Sequence, residues 1–226
     1  SLAGGESRSF AVPVSVPITA SDQNQDILSV EAASTTNPLA RDSSTTIVSV
    51  AVPSPPSVVG FLINDGSAQR SMVNGVTYTF STVVSLDPGA FELTRQGGGS
   101  FSLIVSPSAA GALTKVTLSF VGGTIVGGSL PDGKYTLTVH REKIHEPSLL
   151  RLSLDADRVD QFFRFFGDTH GDGAVDTTDY FVCLGAYGKT QGQGGYLWFL
   201  DFNADAIIGQ TDNTEFAQRR GKRLNS

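Results

Sequence analysis

From Val58 onward, apolar and polar residues alternate with the period of two expected of strands that bury one face. Val58 to Ile63 is a continuous apolar run, Val76, Tyr78 and Phe80 alternate with threonines, and a short run follows from Val83 to Leu86. Phe91 and Leu93, then Phe101, Leu103 and Val105, then Val116, Leu118 and Phe120, then Tyr135, Leu137 and Val139 add four more. Turn signals separate them: Asn64-Asp65-Gly66, Asp87-Pro88-Gly89, Gly97 to Gly99, and Asp132-Gly133. The spacing predicts short strands in two sheets packed face to face over residues 55–147, with these apolar residues as the core.

Before Val58 the pattern is thinner. Phe10, Val12, Val14, Val16 and Ile18 alternate with Ala11, Pro13, Ser15, Pro17 and Thr19, and the two prolines suit only an edge strand. Leu28, Val30 and Ala32 make a second run and Val48, Val50 and Val52 a third, with polar stretches between. Three strands do not close a core, so residues 1–54 read as a β-rich lead-in or the end of a preceding domain. The PSPPS run from Pro53 to Ser57 reads as a stiff linker.

After residue 144 the period changes. Residues 145–157 carry Pro147 and several leucines and read as a junction. Val159, Phe162, Phe163 and Phe166 then fall at i, i+3, i+4 and i+7, one stripe of a helix whose phenylalanines would pack on further helices. Tyr180, Cys183, Leu184 and Tyr187 share a helical face, and Phe216 and Ala217 begin a shorter one. Residues 148–226 are thus expected to form a small helical module.

Composition changes the picture in a few respects. Charged residues are only 17% of the 226, while Gly, Ser, Thr and Val are plentiful, the profile of an extracellular β protein. The net charge of -6 argues against polyanionic partners, nucleic acid among them, and half of the acids follow Ser148. Cys183 is alone, so no disulfide forms within the chain, and it reads as a small apolar residue on a helix face. No apolar run is long enough to span a membrane, and there is no signal peptide. The chain begins with Ser and its only Met is Met72, so it reads as a piece of a larger precursor.

The late acids are patterned. Asp168 to Asp179 reads DTHGDGAVDTTD, with acids at the first, fifth, ninth and twelfth places and Gly173 at the sixth, where a sharp turn is needed. Such a loop aims several oxygens at one hard cation, and calcium takes about six to eight of them. The expected ligands are Asp168, Asp172, Asp176 and Asp179, the carbonyl of Ala174, and the third-place His170, whose nitrogen is a poor partner for so hard an ion. Val175 at the eighth place would point into the core. Asp201 to Asp212 (DFNADAIIGQTD) repeats the layout with Asp201, Asn203, Asp205, Asp212 and the carbonyl of Ile207. It has Ala206 in place of Gly and Gly209 in place of the ninth acid, so the second loop is expected to bind more weakly. Aligning Asp168 on Asp201 also superposes Thr178 on Thr211, Gly188 on Gly221 and Lys189 on Lys222, the mark of a duplication.

Two resemblances follow from these residues. The PSVVG and TYTFS strands, the LDPGAFEL segment and the closing LPDGKYTLTV strand, over roughly Pro55 to Ile144, resemble the bacterial Ig-like domains of large secreted proteins. The twelfth-place Asp and the single helix after each loop, over about Asp157 to Leu224, resemble the type I dockerin. The DRVDQFFRFFGD and YLWFLDF segments look like those in C-terminal regions of large secreted planctomycete proteins. The resemblance implies a mainly β chain, an Ig-like β-sandwich plus a small α-helical dockerin-like module with two calcium loops. It also implies calcium-dependent docking onto a cohesin-like protein or cell-surface component, often in assemblies that degrade polysaccharides. The places that carry partner choice in that family are Thr177, Thr178, Gln210 and Thr211 here.

Catalysis finds no such pattern. His140, His145 and His170 have no zinc-hydrolase spacing, and HREKIHEP reads as a strand end. Arg219, Arg220, Lys222 and Arg223 read as a solvated C-terminus. The expectation is a non-catalytic C-terminal part of a secreted or cell-surface protein. The alternatives are an adhesin or carbohydrate-binding β-sandwich with the loops as structural staples, or an appendage of a polysaccharide-degrading enzyme.

Overall fold

The computed structural model describes residues 25–34, 36–37, 39–49, 54–99, 101–148 and 150–224. The chain divides into two compact units, Ser1–Ser54 and Pro55–Ser226. Among the described residues the protein is mainly β, with several antiparallel sheets.

In the first unit, β1 (Gln25–Ala33) pairs antiparallel with β2 (Arg41–Ser49), from Gln25 opposite Ser49 to Ala33 opposite Arg41. The Ser34 hydroxyl accepts from the Asn37 N–H at 3.1 Å in the connection. The third predicted run begins earlier than its valines: Arg41 to Thr46, read as polar connection, is strand. Its threonines are β-branched, and pairing along the whole of β1 outweighs their polarity. The run from Phe10 to Ile18, and Val50 and Val52, lie outside the described residues.

The second unit begins with β3 (Val58–Ile63), β4 (Gly75–Phe80), β5 (Ser85–Leu86) and β6 (Phe91–Arg95). It continues with β7 (Ser102–Ala110), β8 (Leu113–Val121), β9 (Gly133–Val139), β10 (Ile144–His145) and β11 (Arg158–Arg164). One sheet has the order β3-β4-β8-β7, another β11-β9-β6, and β10 pairs with β5. Strict alternation along β4, β8 and β9 sends Val76, Tyr78, Phe80, Val116, Leu118, Phe120, Tyr135, Leu137 and Val139 inward, where all are buried. Tyr78 stacks on Phe91 of the other sheet at 5.7 Å, so both sheets share this core.

The stretch from Val159 to Phe166 is not the predicted helix. Arg158 to Arg164 is a strand whose seven residues pair with Val139 to Gly133 of β9. Phe162 faces the core and stacks on Tyr135 at 5.5 Å, whereas Gln161 points outward. Adjacent phenylalanines satisfy a helical stripe and a strand equally, and here the open edge of β9 decides. Asp160, on the inward side, accepts the Tyr78 hydroxyl at 2.8 Å and a bidentate pair from Arg158, so this half-buried carboxylate is paired.

Beyond β11 the chain enters a second core. Phe165, Phe166, Val175, Cys183, Ala186, Leu200, Ile208 and Phe216 pack there, together with Met72 from the β3–β4 connection. Two ten-residue helices frame it, α1 (Thr177–Ala186) and α2 (Gln210–Arg219). Both follow the loops as expected, and α2 is as long as α1.

Candidate metal centre

The two loops share most of their side-chain-to-backbone bonds. In the first, Asp168 Oδ2 accepts from the Gly173 N–H at 2.8 Å and its Oδ1 from Gly171 at 2.6 Å. Asp172 accepts from Ala174 at 2.8 Å. Asp179 receives the Thr169 N–H on one oxygen and the Asp176 N–H on the other, each at 2.8 Å. In the second loop Asp201 accepts from Ala206 at 2.9 Å, Asp205 from Ile207 at 3.0 Å, and Asp212 from Phe202 and Gly209 at 2.7 Å each. Carboxylates at the first, fifth and twelfth places thus fold each loop by capturing its own backbone N–H groups.

The duplication extends to a crossed ladder. Val175 donates to the Lys222 carbonyl and accepts from Gly221, while Leu224 donates to Gly173. In the other half, Ile208 donates to Lys189 and accepts from Gly188, while Gln191 donates to Ala206. Each loop is therefore clamped by the segment that follows the other repeat's helix.

Differences between the loops are local. Gly171 and Gly173 have φ of 80° and 79°, and their counterparts Ala204 and Ala206 have 56° and 70°. The second loop thus carries two side chains in a region that costs an L-residue about 1 kcal/mol or more. The N-cap differs too: Asp176 accepts from the Thr178 N–H at 2.7 Å, whereas Gly209 has no side chain to offer α2.

Asp168, His170 and Asp172 bring their donor atoms within 4.8 Å of one another. His170 Nδ1 lies 2.9 Å from Asp179 Oδ1, and Nε2 lies 3.4 Å from Asp172 Oδ2. The hydrogen bond to Asp179 raises the His170 imidazole above its ordinary value, despite some desolvation. Burial raises the Asp168 carboxyl. At Asp179 burial pulls the same way, but the N–H groups of Asp176 and Thr169, the Thr169 hydroxyl and His170 outweigh it and hold the group below its usual range. Asp168, His170 and Asp172 are the side chains that could meet one divalent cation, the two carboxylates offering hard oxygens, and Asp179 adjoins them through His170. Asp176 is exposed and engaged in capping α1, and Ala174 sits opposite Arg223 in a bridge whose hydrogen bonds are made by the Gly173 carbonyl and the Val175 N–H.

In the second loop Asp201 and Asp212 are buried, and Asn203 and Asp205 are exposed and joined by a 2.9 Å bond. Ile207 is exposed, while Ile208 is in the core. Thr177, Thr178, Gln210 and Thr211 all lie exposed at the first turns of the two helices. Sequence reasoning missed Tyr196, whose hydroxyl donates to Asp201 at 2.7 Å, and Thr169, whose hydroxyl reaches Asp179 at 2.8 Å. Tyr196 lies five residues ahead of Asp201, in a segment that stands out only for its aromatic run.

The β core buttresses both loops. A Cβ on Gly171 would lie 2.1 Å from the Ala68 carbonyl, and one on Gly127 would lie 2.6 Å from that of Phe202. Backbone bonds join Arg70 to Asp168 and Phe165 to Arg70. Asp132, which sequence reading treats as a turn residue, takes Arg164 on one oxygen and Arg219 on the other, and also accepts the Phe166 N–H at 2.8 Å. Both guanidiniums lie 5.3–5.7 Å from the rings of Phe166 and Phe202. Arg219 therefore belongs to a joint between the two cores, not to the solvated C-terminus expected from sequence.

On the outer side, α1 exposes Phe181 (64%) and Leu184 (56%), and Tyr187 (45%) is exposed at its C-cap. Their counterparts at and after α2 are Thr214, Ala217 and Arg220. A groove of about 420 Å³ between the helices is lined by Tyr180, Leu184, Tyr187, Phe216 and Arg220 among others. Compared with profiles of protein families, with curated proteins and with solved structures, the chain matches none.

Proposed function

We propose that the helical part of residues 148–226, from Phe165 onward, is a calcium-dependent, dockerin-like docking module carried by an Ig-like β-sandwich spacer whose last strand is β11, in a non-catalytic part of a secreted or cell-surface protein. The observation that carries this reading is the repetition of two acidic loops whose first-, fifth- and twelfth-place carboxylates bind equivalent backbone N–H groups, each loop ending at the start of a helix. Asp168, Asp172 and Asp179 would hold the tighter ion, with the Ala174 carbonyl completing the set, and Asp176 joining it once the ion competes with the Thr178 N–H. Asp201, Asn203, Asp205, the Ile207 carbonyl and Asp212 would hold the weaker one. The unequal helix faces support docking: the repeats fold alike, so the fold does not require Phe181, Leu184 and Tyr187 to be apolar where the other repeat has Thr214, Ala217 and Arg220. A cohesin-like partner would meet that face, with Thr177 and Thr178 beside it.

Calorimetric calcium titration tests the metal claim. Binding should stabilise the fold by ~2.7 kcal/mol at a hundredfold excess over Kd. Asp168→Ala should remove the tighter phase and Asp201→Ala the weaker. Absence of binding heat at millimolar calcium would sink the reading. For docking, Leu184→Asp should abolish binding to a cohesin panel while leaving calcium binding intact.

The buttressing of both loops by the β core favours a second reading, in which the loops are staples and the β-sandwich is the working part as an adhesin or carbohydrate-binding module. Under it, Leu184→Asp would have no effect on ligand capture, and glycan binding would persist in that variant.

A further inference from the structure

The chain carries a net charge of -6, yet one of its clefts is basic. It has a volume of about 410 Å³ and lies between the end of β6, the start of β9 and the C-terminal segment. Arg95, Lys134, Lys222 and Arg223 line it, and among the described residues no carboxylate stands within ion-pair distance of any of the four. The acid in its wall, Asp132, already holds Arg164 and Arg219 on its two oxygens. Arg95 gives one N–H to the Asp132 carbonyl, and its buried Nε has no partner.

The cations are held by backbone, unlike those on a loose tail. Lys134 is paired with Phe163 of β11, and its carbonyl accepts the Gln96 N–H at 2.9 Å. Lys222 and Arg223 are fixed through Val175 and Ala174 of the first loop. Gly133 leaves room for the guanidinium, since a Cβ there would lie 2.5 Å from Arg95 Nε. Four like charges around one concavity repel one another, and a multivalent anion would relieve that repulsion. Guanidinium forks match tetrahedral and planar oxyanions, and ammonium groups add point charge.

We infer that this cleft is a binding site for an oxyanion, of the sulfate or phosphate class, either free or borne on a larger molecule. It is independent of the calcium reading. The test is calorimetric titration of the full chain at constant ionic strength, with inorganic sulfate in one arm and a sulfated disaccharide in the other. Saturable one-to-one binding is expected in at least one arm, and the tighter probe identifies a free or a carried group as the natural source. Arg95→Gln and Arg223→Gln should each weaken binding about tenfold, the usual cost of one charge-assisted hydrogen bond. The exposed Lys115 on β8 should be replaceable by Gln without effect. Arg223 is exposed and its backbone bridge survives substitution, so its variant reports on the cleft even if Arg95→Gln fails to fold. No saturation with either probe, or equal affinity in wild type and Arg223→Gln, overturns the assignment.

Discussion

Ala204 and Ala206 show what one methyl group decides at a turn. Both hold positive φ where the first loop has glycine, so Ala206→Gly should stabilise the chain by roughly 0.5–1 kcal/mol in urea unfolding, and a double change with Gly209→Asp should also tighten cation binding at the second loop. That weakness at Ala206 was legible in sequence, because place in a loop predicts φ. The need for glycine at 171 was not, since it comes from the carbonyl of Ala68, far away in the chain. Gly171→Ala is expected to cost about 2 kcal/mol or more, because a rigid carbonyl must move. Cys183, read as a packing residue, is buried among apolar side chains, and burial pushes its thiol up to about 11. At neutral pH the thiolate is scarce, so alkylation by iodoacetamide should be slow in the folded protein and should speed up on denaturation.

Among the elements, the alternating strands were readable because each buries one face, and a period of two cannot lay a continuous apolar stripe along a helix. β11 was not, because Phe162 and Phe163 lie side by side and the residues that settle the matter, Val139 to Gly133, belong to another strand. The acidic loops were legible in their spacing, yet the helix cap on Asp176 and the anchor on Tyr196 were not, since both depend on where side chains turn. The joint at Asp132 was hidden for the same reason. Removing that acid leaves two guanidiniums against aromatic rings with their shared carboxylate gone, and Asp132→Ala should cost about 3 kcal/mol in chemical denaturation. Asp132→Asn should recover part of that, because its amide oxygen can still accept the Phe166 N–H.

At the scale of the molecule, the β core and the helical core share a strand, a joint and two carbonyl-to-glycine contacts, so residues 55–226 should unfold in one calorimetric transition. A fragment ending at residue 147 would lose β11, and with it the carboxylate that pairs Tyr78 and the ring that stacks on Tyr135. It should melt well below a fragment ending at residue 164, as followed by far-ultraviolet circular dichroism. Such dependence could not be seen in composition or period, which describe each stretch alone.

The crossed ladder also decides how the protein would answer to force. The segment from Gly221 to Leu224 runs antiparallel to the first loop, with Leu224 beside Gly173, so tension applied at the C-terminal end loads the Leu224 to Gly173 bond before the others. Bonds opened singly yield at about 1 kcal/mol each, far more readily than bonds sheared together. The last residues would therefore peel away first, carrying Lys222 and Arg223 off the cleft and unclamping the first loop while both apolar cores stay closed. Tension would act as a release for the cleft and the loop at once.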